Sequence, residues 1–291
     1  MDRLRAIKDL SCLALIIFLA VVGVSAQSNL DDLRNKIVSG SIESKRDALF
    51  AIRNLHTAEA SRIAIPALGD PDILVRATAA SAVTCLPEQE ASKLLLSLLS
   101  DRSEFVRTES ALALGTVGSG AATDSLIGLL KKDRNPEVRN AVVIAFGNIG
   151  VDRALNTLSS ILREKAKDSN EAIRRSAARS IGQIAQVIRT GSTKVNTPTS
   201  FLPEKYKEIG NSNSRGRIQR FKDFQSVNAV LTKVLLDQKE ADDTRREAAF
   251  ALGAIGDPHS AEPLRSKLNS PDYYLAEICK EALLKIAHPD Q

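Results

Sequence analysis

"DPDILVRATAASAV", residues 70–83, and "DRNPEVRNAVVIAF", residues 133–146, share an outline that decides the fold. In each, an acid stands six residues before an arginine, and a run of small and apolar residues follows. The outline returns in "DRSEFVRTESALAL" from Asp101 and "DSNEAIRRSAARSI" from Asp168. Aligned on the basic residue, the chain shows a ladder of Lys45, Arg76, Arg107, Arg139, Arg174 and Arg245, with Ala276 in the last unit. The steps are 31, 31, 32, 35, 71 and 31 residues. The step of 71 is one ordinary step plus an insertion, which leaves seven units of about 31 residues. That length holds two short helices and their turns, so each unit reads as a helical hairpin.

Four residues before each rung stand Ser41, Asp72, Ser103, Asn135, Asn170, Ala241 and Asp272. Six of these seven carry side chains that accept a hydrogen bond from the free N–H groups of a helix start. Pro136 follows in unit four, at the first helical position, where its missing N–H costs nothing. The rung therefore lies in the first turn of the second helix of its unit. Beyond it, Ala111, Leu112 and Leu114, like Ala248, Ala249 and Leu252, make a buried stripe at helical spacing. The first helices carry their own stripes, Leu126, Leu129 and Leu130 or Leu155, Leu158, Ile161 and Leu162. Glycine pairs close the second helices: Gly115 and Gly118, Gly147 and Gly150, Gly253 and Gly256. The outer one suits a left-handed residue after the helix, and the inner one admits a close neighbour.

The outline "D…VR…A…ALG.IG" resembles HEAT-like repeats, specifically the short type named after phycobilisome lyases, over roughly Ile42 to Ala287. The resemblance implies an all-α fold, a right-handed α-solenoid (an α–α superhelix) of about seven helical hairpins. Members of that family include binding scaffolds, chromophore lyases and a metal-dependent hydroxylase. Function does not follow from such a fold.

Two readings of the recurring arginine are open. It pairs with the acid six residues back, or with its neighbour's acid, along one edge of the repeats; or a row of cations reads an anionic polymer. Each regular arginine brings its own acid (Asp70 with Arg76, Asp101 with Arg107, Asp133 with Arg139, Asp168 with Arg174), so the row is close to neutral. The structural reading is the expectation, with Arg245 as the last rung.

The chain has 291 residues, no Trp, 4% aromatic residues and a formal charge of +5. Charged residues at positions 2–8, an apolar stretch from Leu10 to Val24 and the small residues Val24-Ser25-Ala26 predict an export signal cut ahead of Gln27. The competing reading is a retained anchor, for which the apolar run is short. Export would place the protein in the periplasm or outside the cell. The mature chain then keeps Cys85 and Cys279, which lie several units apart, too far for a disulfide.

Between units five and six the repeat stops. Residues 189–223 hold eight basic and three acidic residues, a net +5, while the repeats are close to neutral. This insertion divides the mature chain into 27–188 (units one to five) and 224–291 (units six and seven). It reads either as a solvated loop or as a binding arm, with Lys205, Lys207, Arg215, Arg217 and Arg220 around the apolar anchors Phe201, Tyr206 and Phe221. As an arm it would meet an acidic protein surface or an anionic membrane surface.

Chemistry finds little support. His56, His259 and His288 form no zinc-ligand spacing, no glycine-rich phosphate loop occurs, and no histidine lies in a recognisable nucleophile motif where it could act as the base a serine needs. The His–Glu dipeptides that mark the family's hydroxylase are absent. The second helices lack the sustained basic stripe that a nucleic-acid surface needs. No metal, cofactor or nucleic acid is expected. The expectation is an exported, non-catalytic scaffold for a protein partner. The alternative is a lyase-like or chaperone-like protein acting on a cofactor-bearing partner.

Overall fold

The computed structural model describes residues 29–190 and 222–288. Among them there is no strand, and fourteen α-helices alternate as first and second members of seven hairpins. The pairs are α1 (29–39) with α2 (Ile42–Leu55), α3 (Ala58–Ile63) with α4 (Ile73–Ala82), α5 (Glu88–Leu98) with α6 (Glu104–Val117), and α7 (Thr123–Lys132) with α8 (Pro136–Ile149). They continue as α9 (Leu155–Arg163) with α10 (Glu171–Thr190), α11 (Lys222–Leu236) with α12 (Asp242–Ile255), and α13 (Ala261–Arg265) with α14 (Tyr273–Ala287). One compact unit ends at Pro87 and holds the first two hairpins; the other begins at Glu88 and holds five. The architecture is the all-α, repeated-hairpin arrangement of an α-solenoid.

Every second helix begins one residue after its expected cap. Ser41, Asp72, Asn135 and Asp272 accept backbone N–H groups of the first turn. Ser103 has the extended cap backbone without the side-chain bond. Asn170 departs further, because it closes a 3₁₀ turn, Asp168–Asn170, that runs into α10.

Helix ends follow from the residue eleven after the rung. Gly118, Gly150 and Gly256 stand there with φ of 78°, 74° and 73°, and each ends its helix. His56 takes the same left-handed conformation at φ 51°. In unit five the position is Ala185, for which that conformation is costly, and α10 runs on to Thr190. The helix therefore continues five residues past the position where a glycine ends α6, α8 and α12.

Within the larger unit, successive second helices pack directly on one another: α6 on α8, α8 on α10, α10 on α12, and α12 on α14. The inner glycine of each, eight residues after the rung, meets a small residue six after the next rung. A Cβ on Gly115 would lie 2.8 Å from Ala145 Cα, on Gly147 3.0 Å from Ser180 Cα, on Gly182 3.0 Å from Ala251 Cα, and on Gly253 2.7 Å from Ala282 Cα. Such approaches exclude any side chain. The apolar stripes fill the space between layers, with Phe146, Leu114, Leu126, Leu155, Leu158 and Ile181 fully buried. Because α10 packs on α12 and α9 on α11, the repeat resumes in step across the insertion.

Two alanine substitutions should therefore have opposite signs. Gly253→Ala forces apart α12 and α14 and should lower stability by about 1–3 kcal/mol. Gly128, inside α7 with nothing within 4 Å of an added Cβ, should gain about 0.5–1 kcal/mol as alanine. Urea unfolding of the two variants against the parent chain checks both; equal losses would contradict the close-approach account.

Candidate functional site

Within each unit the recurring cations stand at the turns of the hairpins, and they bond in two directions, both of which Arg107 shows. Toward its own hairpin, the guanidinium donates to turn carbonyls. Arg76 Nη1 reaches Asp70 O at 2.8 Å and Pro71 O at 3.0 Å. Arg107 Nη1 reaches Asp101 O at 2.9 Å and Arg102 O at 3.3 Å. These bonds fasten the end of the first helix to the start of the second.

Toward the next hairpin, the cation takes that hairpin's acid. Lys45 Nζ lies 2.7 Å from Asp70 Oδ2. Arg107 Nε and Nη2 grip Asp133 at 2.6 and 3.2 Å. Of the two partners the sequence left open, the observed pairs use the neighbour's. The acid does a second job, because its carboxylate also accepts the N–H two residues on: Asp72 N at 2.9 Å for Asp70 and Asn135 N at 3.0 Å for Asp133; Asp101 makes the same turn bond, with Ser103 N at 2.8 Å. One carboxylate thus shapes its own turn and receives the previous hairpin.

Burial pushes the Asp133 carboxyl up, but the hydrogen bonds from Arg107 and the Asn135 N–H and the Arg107 charge outweigh it. Its pKa lies below the ordinary carboxylate value. Asp70 follows the same pattern with Lys45. At Asp272 the hydrogen bond from Arg246 dominates over burial, again lowering the pKa.

Three rungs depart from the regular form. Arg174 is 3% exposed and grips Glu240 through both Nε (3.1 Å) and Nη2. Its Nη1 donates to Ile161 O at 3.0 Å, Leu162 O at 3.2 Å and Glu164 O at 2.6 Å. This rung joins units five and six across the insertion, and Glu240 was not singled out from the sequence. In unit six the aligned residue, Arg245, pairs within its own helix with Asp242. Arg246 instead makes the inter-hairpin rung, holding Asp272 at 2.9 and 3.0 Å. The third departure is Arg139. It is half-buried, its Nε is buried without a partner among the described residues, and no rung forms to Asp168. Asp168 is exposed, and it sits in a turn of residues 164–170 where unit four has only 133–135. That longer turn closes on itself through Asn170, which receives the Lys167 N–H at 2.9 Å and donates to Lys165 O at 3.0 Å.

Beside Arg139 runs an open groove of about 690 Å³ between α7 and α9. Its walls include Lys131, Asp133, Arg134, Asn156, Ser160 and Glu164.

Groups able to do chemistry elsewhere occupy structural places. Cys279 is buried, and burial pushes its thiol up to about 12, which disfavours a thiolate at neutral pH. Cys85 is half-buried. His56 and His288 stand at helix ends. Buried Ser260 donates to Asn228 Oδ1 at 2.8 Å, Asn228 Nδ2 donates to Asp257 at 3.1 Å, and exposed His259 lies 2.9 Å from that same aspartate. This network ties α11 to the turn before α13. Among the described residues no cluster of His, Cys, Asp and Glu is suited to a metal ion, and no helix is long and apolar enough to cross a membrane. The candidate arm residues Phe201, Lys205, Tyr206, Lys207, Arg215, Arg217, Arg220 and Phe221 lie outside the described residues, as does the predicted signal.

The family described as HEAT repeats matches residues 30–115, 61–147, 92–168 and 123–191, overlapping windows that together cover more than half of the chain. A PBS lyase HEAT-like repeat matches residues 244–270. Phycocyanobilin lyase subunit alpha from Picosynechococcus sp. (strain ATCC 27264 / PCC 7002 / PR-6) is 37% identical over 68 residues, 22% of this chain and 25% of that protein. The chain thus matches only about a quarter of the length of that curated relative. The complex of CpcE and CpcF of phycocyanin lyase from Nostoc sp. PCC7120 aligns with a TM-score of 0.49 at 20% identity, over 88% of this chain and 87% of that one. A designed armadillo repeat protein in complex with the peptide (KR)4 aligns with a TM-score of 0.48 at 18% identity, over 88% and 99%.

The rungs differ in burial, and their removal should differ in cost. Glu240→Gln leaves the Arg174 guanidinium buried without its counter-charge and should cost about 3–5 kcal/mol. Arg107→Gln should cost about 1–3 kcal/mol at pH 7. The folded pKa of Asp133 is lowered, so its contribution is full above the ordinary carboxylate pKa and fades as pH falls through the folded value. The gap between Arg107→Gln and the parent chain should accordingly narrow below about pH 4. Urea unfolding at pH 7 and pH 3 measures both; a gap unchanged at pH 3 would rule out the ionic origin.

Proposed function

The chain belongs to the HEAT-repeat family, and on that premise we propose that it is an exported, non-catalytic scaffold that binds a protein partner. The observation that carries this reading is a set of exposed apolar side chains that the fold does not use. They recur at one register, the first two positions of the second helices. In the smaller unit these are Ile42, Ile73 and Leu74; in the larger they are Phe105, Tyr273 and Tyr274, the last three 60%, 68% and 66% exposed. An isolated exposed leucine needs no explanation, but large apolar residues repeated at a fixed position do. Aromatic groups held on rigid helix starts supply binding area at low entropic cost. The Arg246 guanidinium, 5.2 Å from the Tyr274 ring centre, holds that ring in place.

The likeness to a phycocyanobilin lyase subunit over 68 residues favours a second reading, a lyase-like or chaperone-like protein acting on a cofactor-bearing partner. Both readings put a protein against the same array. They differ in whether that protein carries a chromophore.

The compartment assigned here rests on the charged and apolar pattern of residues 1–26, and the basic insertion supplies a second contact for an acidic partner surface. Crosslinking in the native envelope, followed by mass spectrometry, should capture a colourless protein pair. A coloured or spectrally altered complex would favour the lyase reading, and capture of no protein would reject both. Changing Phe105, Tyr273 and Tyr274 together to Ser should weaken the captured pair at least tenfold while the melting temperature stays within about 2 °C.

A further inference from the structure

We propose that the Arg139 groove is a carboxylate-binding site, where an Asp or Glu side chain of the partner completes the rung left unmade among the described residues. The inference builds on the scaffold reading and names the chemistry of one of its contacts.

Arg107 and Arg174, the rung arginines on either side of Arg139, each hold a carboxylate of the next hairpin with two nitrogens, and their remaining nitrogens hold turn carbonyls. Arg139 occupies the same fourth position of its helix but makes neither set of bonds among the described residues. Its designated acid, Asp168, has been carried away by the longer turn and faces solvent. A half-buried guanidinium in that state has lost part of its hydration without gaining a partner, and regaining one is favourable. The groove beside it is open, so the missing acid can arrive from outside.

The walls say which anion fits. Lys131 and Arg134 add positive charge at the rim, while Ser160, Thr157 and Asn156 supply neutral hydrogen-bonding groups along α9. Asp133 and Glu164 also border the space, and two carboxylates oppose a dianion more strongly than a monoanion. Asp133 is already committed to Arg107. Carboxylate and phosphate both match the guanidinium fork, so charge decides: a singly charged carboxylate meets less repulsion from Asp133 and Glu164 than a phosphate dianion does. Every rung the chain makes for itself uses a carboxylate, so the site asks of the partner the group that its neighbours obtain from the next hairpin.

The test follows the Arg139 Nε–H signal and the backbone amides of Asn156, Thr157 and Ser160 by NMR of the whole chain. The probe is acetyl-Gly-Glu-Gly-amide, with its glutamine counterpart as control. The glutamate peptide should shift these signals saturably, and the glutamine peptide at least tenfold less. Arg139→Gln should remove the amide shifts and leave the melting temperature unchanged, because no internal bond is lost. Arg107→Gln, at a filled rung, should keep them. Ser160→Glu, which offers a carboxylate from α9, should raise the melting temperature and abolish peptide binding; it decides the matter if Arg139→Gln does not fold. Equal shifts with both peptides, peptide binding retained in Arg139→Gln, or inorganic phosphate competing at tenfold lower concentration would each overturn the proposal. A melting temperature that falls in Arg139→Gln as far as in Arg107→Gln would show the rung filled from within, by Glu164, and would overturn it too. The scaffold reading fails separately, when envelope crosslinking captures no protein although the peptide binds.

Discussion

A cation in the first turn of one hairpin's second helix, holding an acid at the turn of the next hairpin, is the constraint on which this structure depends. A hydrophobic stripe alone would let neighbouring hairpins slide, since apolar contact has little directional preference. The two-pronged bonds of Arg107 to Asp133, Arg174 to Glu240 and Arg246 to Asp272 remove that freedom. Because the carboxylates of Asp70 and Asp133 also accept N–H groups of their own turns, the contact between hairpins and the shape of each turn are one arrangement. The buried Arg174–Glu240 pair shows the strength of the demand: it re-forms across an insertion that separates its partners by 66 residues.

Directional bonds at the turns are matched by steric demands further along. Glycine eight residues after the rung faces Ala145, Ser180, Ala251 or Ala282, six residues after the next. That separation fixes the height of one second helix against the next, just as the ion pair fixes its end. Two points of reference on a helix of 14 residues leave little room for rotation or slip. Inter-hairpin geometry is therefore written twice, in charge and in size.

Much of this was legible in the sequence. The unit length, the seven second-helix starts and the glycines that end or closely contact helices all follow from local rules, in which a residue's role depends on neighbours within a turn or two. What was not legible depends on partners in another hairpin. Glu240 carries no local mark, and its arginine lies beyond the insertion. Arg245 sits at the aligned position, but where the regular units carry the acid the last unit has Ser270, which keeps the turn bond to the Asp272 N–H, and the charge lies on Asp272 itself, within reach of Arg246. The unmade rung at Arg139 showed only as a step of 35 residues where the earlier ones were 31 or 32. Ala185 in place of a terminal glycine was visible, yet its consequence, an α10 that runs on to Thr190, emerges only when the helix is seen whole.

These departures separate architecture from function more sharply than the repeated residues do. A rung that is made uses up its charges and leaves nothing for a partner. An apolar residue in the stripe is likewise consumed by packing. On the proposed reading, what remains for recognition is whatever the repeat produces and does not spend: the exposed Phe105, Tyr273 and Tyr274 at helix starts, and a guanidinium at Arg139 whose acid lies away from it on a longer turn. On our proposal, the longer turn converts a structural cation into one without a partner among the described residues, a route by which a repeat protein can acquire a specific site while each of its hairpins continues to obey the same rules.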